Sequence, residues 1–259
     1  MIRTNLKNEM MSKMPDACRK ISQEYGAFQV LEHYKDVSVN YHSASSAYYA
    51  SEMNVHRRQV IYNLNGSNGV ITQAGAMQMM LGNVNAATDV SGVADLAKKM
   101  FASKATGESA VKPKYTGEGI LVLEPTYKHI ALIDVAQWGQ QGMVIDDGAF
   151  LACDASLKIS VVARQNLSSA IAGGEGLFNT CLIGNGIAAI ELDTDYSELV
   201  EMVVENDTVK IDGNMAVAWS GSLQFTTERT TKTLIGSAAS GEGLVNVYRG
   251  SGKILVAIV

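Results

Sequence analysis

Cysteine and proline are both scarce in this 259-residue chain, at 3 residues each. The cysteines, Cys18, Cys153 and Cys181, form no CxxC pair and are odd in number. A disulfide framework is therefore not expected, and a reducing compartment fits best. Charge is thin as well: Asp, Glu, Lys and Arg make up 18% of the chain, against about 25% in ordinary soluble domains. The 21 basic residues fall short of the 26 acidic ones, leaving a net charge of -5. Nucleic acid is thus not an expected partner, because neutralising phosphates takes clustered Lys and Arg. No apolar run approaches the roughly 18 residues that a membrane-spanning helix needs. The longest runs are short, such as Ile254–Val259. Met1–Gly26 lacks the apolar centre of a secretory signal. Its Glu9, Asp16 and Glu24 are foreign to a transit peptide. The expected location is cytoplasmic.

What is present is a hydrophobic content of 47% and 24 glycines. That is enough apolar material for a sizeable core, in one large domain or two small ones. Low charge leaves room for a buried subunit interface, so a homo-oligomer is expected, with a protein partner or a small ligand as further possibilities.

The glycines are ordered. Gly107-Glu108-Ser109, Gly174-Glu175-Gly176 and Gly241-Glu242-Gly243 are evenly spaced, since 174 − 107 and 241 − 174 are both 67. Each step is followed by a Gly-x-Gly: Gly117/Gly119, Gly184/Gly186 and Gly250/Gly252. Each Gly-x-Gly leads into an apolar run. Upstream sits a third marker: Ala74-Gly75-Ala76-Met77, Asp147-Gly148-Ala149-Phe150 and Asp212-Gly213-Asn214-Met215. Three markers in one order predict three copies of a unit, at about 52–124, 125–191 and 192–259. Such units share a core with their neighbours.

Each unit reads as β. Ser222–Thr226 alternates polar with apolar, as does Val245–Tyr248 apart from its aromatic end. Asp147-Gly148 and Asp212-Gly213 suit tight turns, and the Gly-x-Gly pairs are expected to close hairpins. The predicted class is all-β, with one or two short helices. Thr88–Lys104 is the best helix in the repeats, with Val90, Val93, Leu96, Met100 and Phe101 on one face. Asn166–Gly173 and Thr230–Ser240 are expected to be crossing loops or short helical turns. Residues 1–47 stand outside the repeats as an extension, with the repeat domain at 48–259. In that extension Asn8–Gln23 suggests a helix kinked at Pro15. Ala27–Tyr41 suggests a hairpin around Lys35-Asp36, and Tyr41–Tyr49 a linker.

The ordered markers resemble the altered-inheritance-of-mitochondria 24 (AIM24) family, formerly a domain of unknown function (DUF124). They are Gln73–Met77, Thr106–Ser109, Gly173-Gly174-Glu175-Gly176-Leu177-Phe178 and Ser240-Gly241-Glu242-Gly243-Leu244. The resemblance covers about residues 50–259. It implies a TRAP-like β fold, a sandwich or barrel assembly similar in topology to units of the tryptophan RNA-binding attenuation protein. The family offers no catalytic residues to carry over. The family-motif positions are Gly75, Gly107, Glu108, Gly148, Gly174, Glu175, Gly176, Gly213, Gly241, Glu242 and Gly243, all read as structural.

Catalytic signatures are missing. A phosphate loop requires GxxxxGK[ST], or a GxGxxG between strand and helix, and the Gly-x-Gly pairs here lead into strands. His33, His42, His56 and His129 show no HxxxH or HExxH spacing. Cys153 and Cys181 lie in apolar strands, where a thiol is inert. Met77, Met79 and Met80 form a methionine-rich patch, read as core filler or as an adaptable contact face. Glu108, Glu175 and Glu242 either accept backbone N–H bonds at strand entries or converge on a cation; the first reading is preferred. No cofactor is expected. The expected function is a non-enzymatic scaffold or binding protein. The alternative is a small-molecule or RNA-binding module, suggested by the TRAP-like topology.

Overall fold

The computed structural model describes residues 4, 6, 18–88, 112–163, 178–229 and 244–258. The N-terminal part supplies β1 (Arg19–Tyr25), β2 (Phe28–His33) and helix α1 (Ala44–Glu52). Next come β3 (Arg57–Thr72), β4 (Met77–Ala87) and β5 (Lys114–Leu123). The middle segment holds β6 (His129–Asp134), β7 (Met143–Ile145), β8 (Phe150–Asp154), β9 (Lys158–Ala163), β10 (Phe178–Ile183) and β11 (Ile187–Leu192). The last holds β12 (Leu199–Asp212), β13 (Ala216–Ser220), β14 (Gln224–Arg229) and β15 (Leu244–Ala257). Two 3₁₀ turns, Val135–Trp138 and Tyr196–Glu198, add the remaining helical residues described. The all-β class is correct.

One pairing pattern recurs in the three segments. β5 lies between β3 and β4, antiparallel to both. β11 lies between β6 and β8, and β10 between β7 and β9. β15 lies between β12 on one side and β13 with β14 on the other. In every case the last strand in sequence is the central one, and its end ties back to the turn. Glu124 N–H donates to Ala76 O at 2.7 Å, Glu191 N–H to Ala149 O at 2.8 Å, and Ala257 N–H to Met215 O at 2.8 Å.

The strands form two curled antiparallel sheets, β1-β2-β3-β8-β11-β6 with β5 and β4, and β12-β15-β13-β7-β10-β9 with β14. The middle segment joins them, because β6, β8 and β11 lie in the first sheet and β7, β9 and β10 in the second. Met143, Ile145, Leu182, Ala218 and Leu255 of the second sheet meet Ile133, Phe150, Cys153 and Ile190 of the first in one buried cluster. Burying each such aliphatic or aromatic side chain contributes about 1.5–3 kcal/mol. The first sheet nearly closes on itself, since Gln23 Nε2 of β1 donates to Ile130 O of β6 at 2.8 Å.

Four local expectations are corrected. The Gly-x-Gly pairs do not close hairpins. Gly117/Gly119 lie within β5 and Gly250/Gly252 within β15, while Gly184/Gly186 bend the chain between β10 and β11. Gly117, Gly184 and Gly250 share φ values of 114°, 120° and 117°. A Cβ at Gly117 would collide with Asn83 O, and one at Gly119 with Leu81 O. Glycine there permits a central strand to bend beside its neighbour's backbone. Of the expected Asn8–Gln23 helix, residues 18–23 are described and 19–23 are strand; ladder bonds to β2 and packing of Ile21 against Leu31, Ile61 and Val122 outweigh local helix preference. The hairpin expected around Lys35-Asp36 turns instead at Gly26, whose φ of 60° suits a tight turn. Part of the expected linker is α1, in keeping with its alanines, and none of its residues is buried. The expected helix 88–104 and the stretches 166–173 and 230–240 lie outside the described residues, except Thr88.

Alanine at Gly75, whose φ is 79° with open space around it, should cost about 1–2 kcal/mol from backbone strain alone. Alanine at Gly117 adds a backbone collision and should cost about 3 kcal/mol or more. Urea unfolding midpoints of the two variants measure the difference; equal losses would contradict the bend.

Candidate functional site

The turn glycines named from sequence stand at equivalent places. Gly75 links β3 to β4, Gly148 links β7 to β8, and Gly213 links β12 to β13. Their φ values are 79°, 76° and 55°. Nothing lies within 4 Å of a Cβ built on any of them, so conformation and not crowding selects glycine. Gly148 and Gly213 come together on a cavity of about 450 Å³ with Asp146, Glu191, Asp193 and Asp212, and Gly75 does not join them. Lys128 Nζ reaches Asp193 Oδ1 there at 3.2 Å. No three His, Cys, Asp or Glu side chains converge as metal ligands among the described residues. Gly107, Glu108, Gly174, Glu175, Gly176, Gly241, Glu242 and Gly243 lie outside the described residues.

Two clefts occur where one segment meets the next. At both junctions the end of a first strand pairs with the following segment's second strand: Ile71 lies opposite Cys153, and Val144 opposite Trp219. The first cleft, about 620 Å³, is lined by Tyr62, Asn68, Lys114, Thr116, Asp154 and Ser156. The second, about 430 Å³, is lined by Gln141, Val144, Asn179, Cys181, Trp219 and Phe225. Both volumes fall in the range of small-molecule sites. The strand ends beside them are tied alike. Ser156 Oγ donates to Asn185 O at 2.8 Å, and Ser222 Oγ to Ser251 O at 2.8 Å. Asp154 Oδ2 accepts from Ile187 N–H at 2.7 Å, and Ser220 Oγ from Lys253 N–H at 2.9 Å.

The clefts differ in chemistry. The first is polar: the Tyr62 hydroxyl lies 2.8 Å from Asp154 Oδ1 and 2.9 Å from Gly69 O. Burial, then the bond to Asp154, pushes that phenol well above its ordinary value, so it is no base. The second is backed by aromatic rings. Trp219, Phe225 and Tyr248 pack with centroids 5.1–5.4 Å apart. Burial pushes the Cys181 thiol up, and its Sγ faces Gln141 O at 3.5 Å. Cys153, fully buried, is pushed up to about 12 by burial and then by the charge of Asp154. Neither thiol is a ready nucleophile.

A third polar group lies where β2, α1 and β3 meet. His56 Nδ1 is 2.9 Å from Glu32 Oε1, and Arg58 Nη2 is 2.8 Å from the same oxygen. Glu32, His56 and Arg58 are 8%, 8% and 4% exposed, which makes this a buried charge cluster. Ser51 Oγ, 3.3 Å from His56 Nε2, gives the outline of a nucleophile–base–acid line. The hydrogen bonds exclude that chemistry. Ser51 Oγ donates to Tyr34 O at 2.8 Å, and Nε2 faces the Ser51 carbonyl at 3.0 Å. A carbonyl only accepts, so Nε2 is the donor and cannot take the serine proton. Burial raises the Glu32 carboxyl, but the His56 hydrogen bond and the Arg58 charge outweigh it and leave the group below its ordinary value.

Residues 52–257 match the family described as mitochondrial biogenesis AIM24. The chain belongs to this family. It is 30% identical over 195 residues to an uncharacterized protein of Streptococcus pyogenes serotype M6, covering 72% of this chain and 75% of that one. It is also similar to the crystal structure of protein SPYM3_0169 from Streptococcus pyogenes. The TM-score is 0.58 and the identity 27%, over 80% of this chain and 90% of that one. The AIM24 match begins inside α1, so β1, β2 and Glu32 lie before it, while His56 and Arg58 lie within it.

Sequence reasoning singled out neither Glu32 nor Arg58, and treated His56 only as a histidine without a spaced partner. The available signal was Glu32 closing the mainly apolar run Phe28–Leu31, and Arg58 set one residue, Gln59, ahead of Val60–Tyr62. Charges abutting such runs invite a buried pair.

Glu32→Gln leaves Arg58 buried without its counter-charge and should cost about 3 kcal/mol at neutral pH. Because the folded carboxyl lies below its ordinary 4.5, its contribution is complete above that value and is lost as pH falls through the folded one. Thermal unfolding between pH 7 and pH 2 should therefore show a steeper acid limb in the wild type than in Glu32→Gln. Parallel limbs would contradict the assignment.

Proposed function

We propose that this AIM24-family protein is a non-enzymatic binding scaffold, made of three copies of one β unit at about 52–124, 125–191 and 192–259. The observation that carries this reading is the pair of clefts at equivalent junctions. The strand ends beside them repeat the same hydrogen bonds, while their linings differ, one polar and one aromatic. Repetition of geometry with divergence of lining suits binding of different small ligands more than one reaction. The groups able to do chemistry support the same reading, since Ser51, Tyr62 and Cys181 are each committed to hydrogen bonds or disabled by burial.

We further propose that the protein self-associates and resides in the cytoplasm. Low charge supports the first. The second rests on composition and on cysteines that are all free. No helix among the described residues is long and apolar enough to cross a membrane. RNA binding rests on the TRAP-like expectation alone, and the net charge of -5 opposes it.

Native mass spectrometry of the purified protein should find small molecules retained in addition to the polypeptide mass, released by unfolding in acid. A bare polypeptide that also binds nothing in a thermal-shift screen of metabolites would contradict the binding role. Treatment with N-ethylmaleimide should label Cys18 rapidly under native conditions, and Cys153 and Cys181 only after denaturation. Fast native labelling of Cys181 would contradict the non-enzymatic reading.

A further inference from the structure

The two junctions inside the chain obey one pairing rule, and a third application of it is unused. At the first, β3 pairs with β8, and Gln73 N–H donates to Leu151 O at 2.8 Å. At the second, β7 pairs with β13, and Asp146 N–H donates to Val217 O at 3.1 Å. The same step after the last segment would pair the end of β12 with the start of β4. Among the described strands, β12 pairs only with β15, and β4 only with β5. One molecule therefore presents both halves of a junction and joins neither.

The chemistry of β4 points the same way. Strands at sheet edges are ordinarily guarded by charge, proline or bulges against pairing with another chain. β1, β9, β12 and β14 all carry charged residues, such as Lys20, Lys158, Lys210 and Glu228. β4, reading MQMMLGNVNAA, carries no charge and no proline, and its Met80 is 39% exposed. Its one irregularity, the register shift at Gln78, matches those at Leu151 and Val217, the residues whose carbonyls accept at the two junctions.

We propose that copies of this chain associate head to tail, with β12 of one copy pairing antiparallel to β4 of the next. The proposal rests on the self-association stated above and deepens it by naming both edges and their register. Gln73 and Asp146 each stand two residues before the turn glycine, a place held by Ile211 in the last segment. Leu151 and Val217 each stand two residues beyond the carbonyl that ties the turn, at Ala149 and Met215. Gln78 holds that place after Ala76. Ile211 N–H thus donates to Gln78 O of the next copy, and Val209 lies opposite Met80, as Ile71 lies opposite Cys153. The contact is heterologous, since unlike edges meet. It adds a junction of the kind that carries the two clefts, so the assembly gains a further cleft for each contact.

Light scattering at tens of micromolar should give a multiple of the monomer mass. Met80→Lys places a charge on the edge at an exposed position. It should reduce the mass to that of a monomer while leaving the circular dichroism spectrum and melting behaviour of the monomer intact. In a Cys18→Ser background, Val209→Cys and Met80→Cys copies should form a disulfide when mixed, because opposed residues in a ladder lie about 4.5–5.5 Å apart. Neither should cross-link to itself. A wild-type monomer would overturn both the self-association and this interface. An oligomer that survives Met80→Lys with its fold intact, or that cross-links through Met80→Cys alone, would overturn the interface and leave self-association standing.

Discussion

The conformation shared by Gly117, Gly184 and Gly250, with φ between 114° and 120°, is the constraint on which the rest of the structure depends. A strand flanked on both sides cannot bend by moving away from its neighbours. It bends only where the backbone enters a region closed to side chains. Placing a glycine there lets the last strand of each segment serve both its first and second strands. In the middle segment the same bend carries β10 of one sheet into β11 of the other. The two sheets are thereby joined by continuous chain, and the cluster of Met143, Phe150, Leu182 and Ile190 is buried where they face each other.

Function-bearing features follow from that arrangement. Because the end of each segment's first strand pairs with its own central strand along one edge only, the other edge is available to the second strand of the next: Ile71 lies between Lys114 and Cys153, and Val144 between Cys181 and Trp219. The meeting leaves a cleft beside the paired residues. The first cleft took Tyr62 and Asp154 and became polar; the second took Trp219 and Phe225 and became aromatic. The hydroxyls and thiols near them face carbonyl oxygens or carboxylates. Such fixed donors and acceptors support the binding role proposed above, since proton transfer needs one of them free to change partners.

The N-terminal hairpin has a different role. β2 extends the first sheet beside β3, and β1 reaches toward β6 through Gln23. Its anchor is electrostatic as well as apolar, with Glu32 held against His56 and Arg58. Such a buried pair gives little net stability against an apolar replacement, yet losing one member is costly. It suits a contact that fixes one register of β2 on β3, since a shift of one residue would turn Glu32 away from both partners.

The sequence alone determined the class and the order of the chain. Period-two alternation marked β15, and Asp-Gly pairs marked the turns at Gly148 and Gly213, because turn and strand preferences act over a few residues and leave a local trace. Composition also limited the chemistry, since no spaced ligands or nucleophile motif stands in the chain. Tertiary structure decided the rest. Gly117 and Gly250 have the local look of hairpin turns, yet they bend central strands, because the pairing that sets their conformation comes from strands distant in sequence. Arg19–Gln23 became strand when β2 offered ladder bonds. Glu32 and His56 stand 24 residues apart, and no spacing rule joins them; only pairing of β2 with β3 brings them within hydrogen-bond reach. The clefts belong to junctions between segments, and their contents are fixed by which strand ends meet, a property of the folded chain and not of any stretch of it.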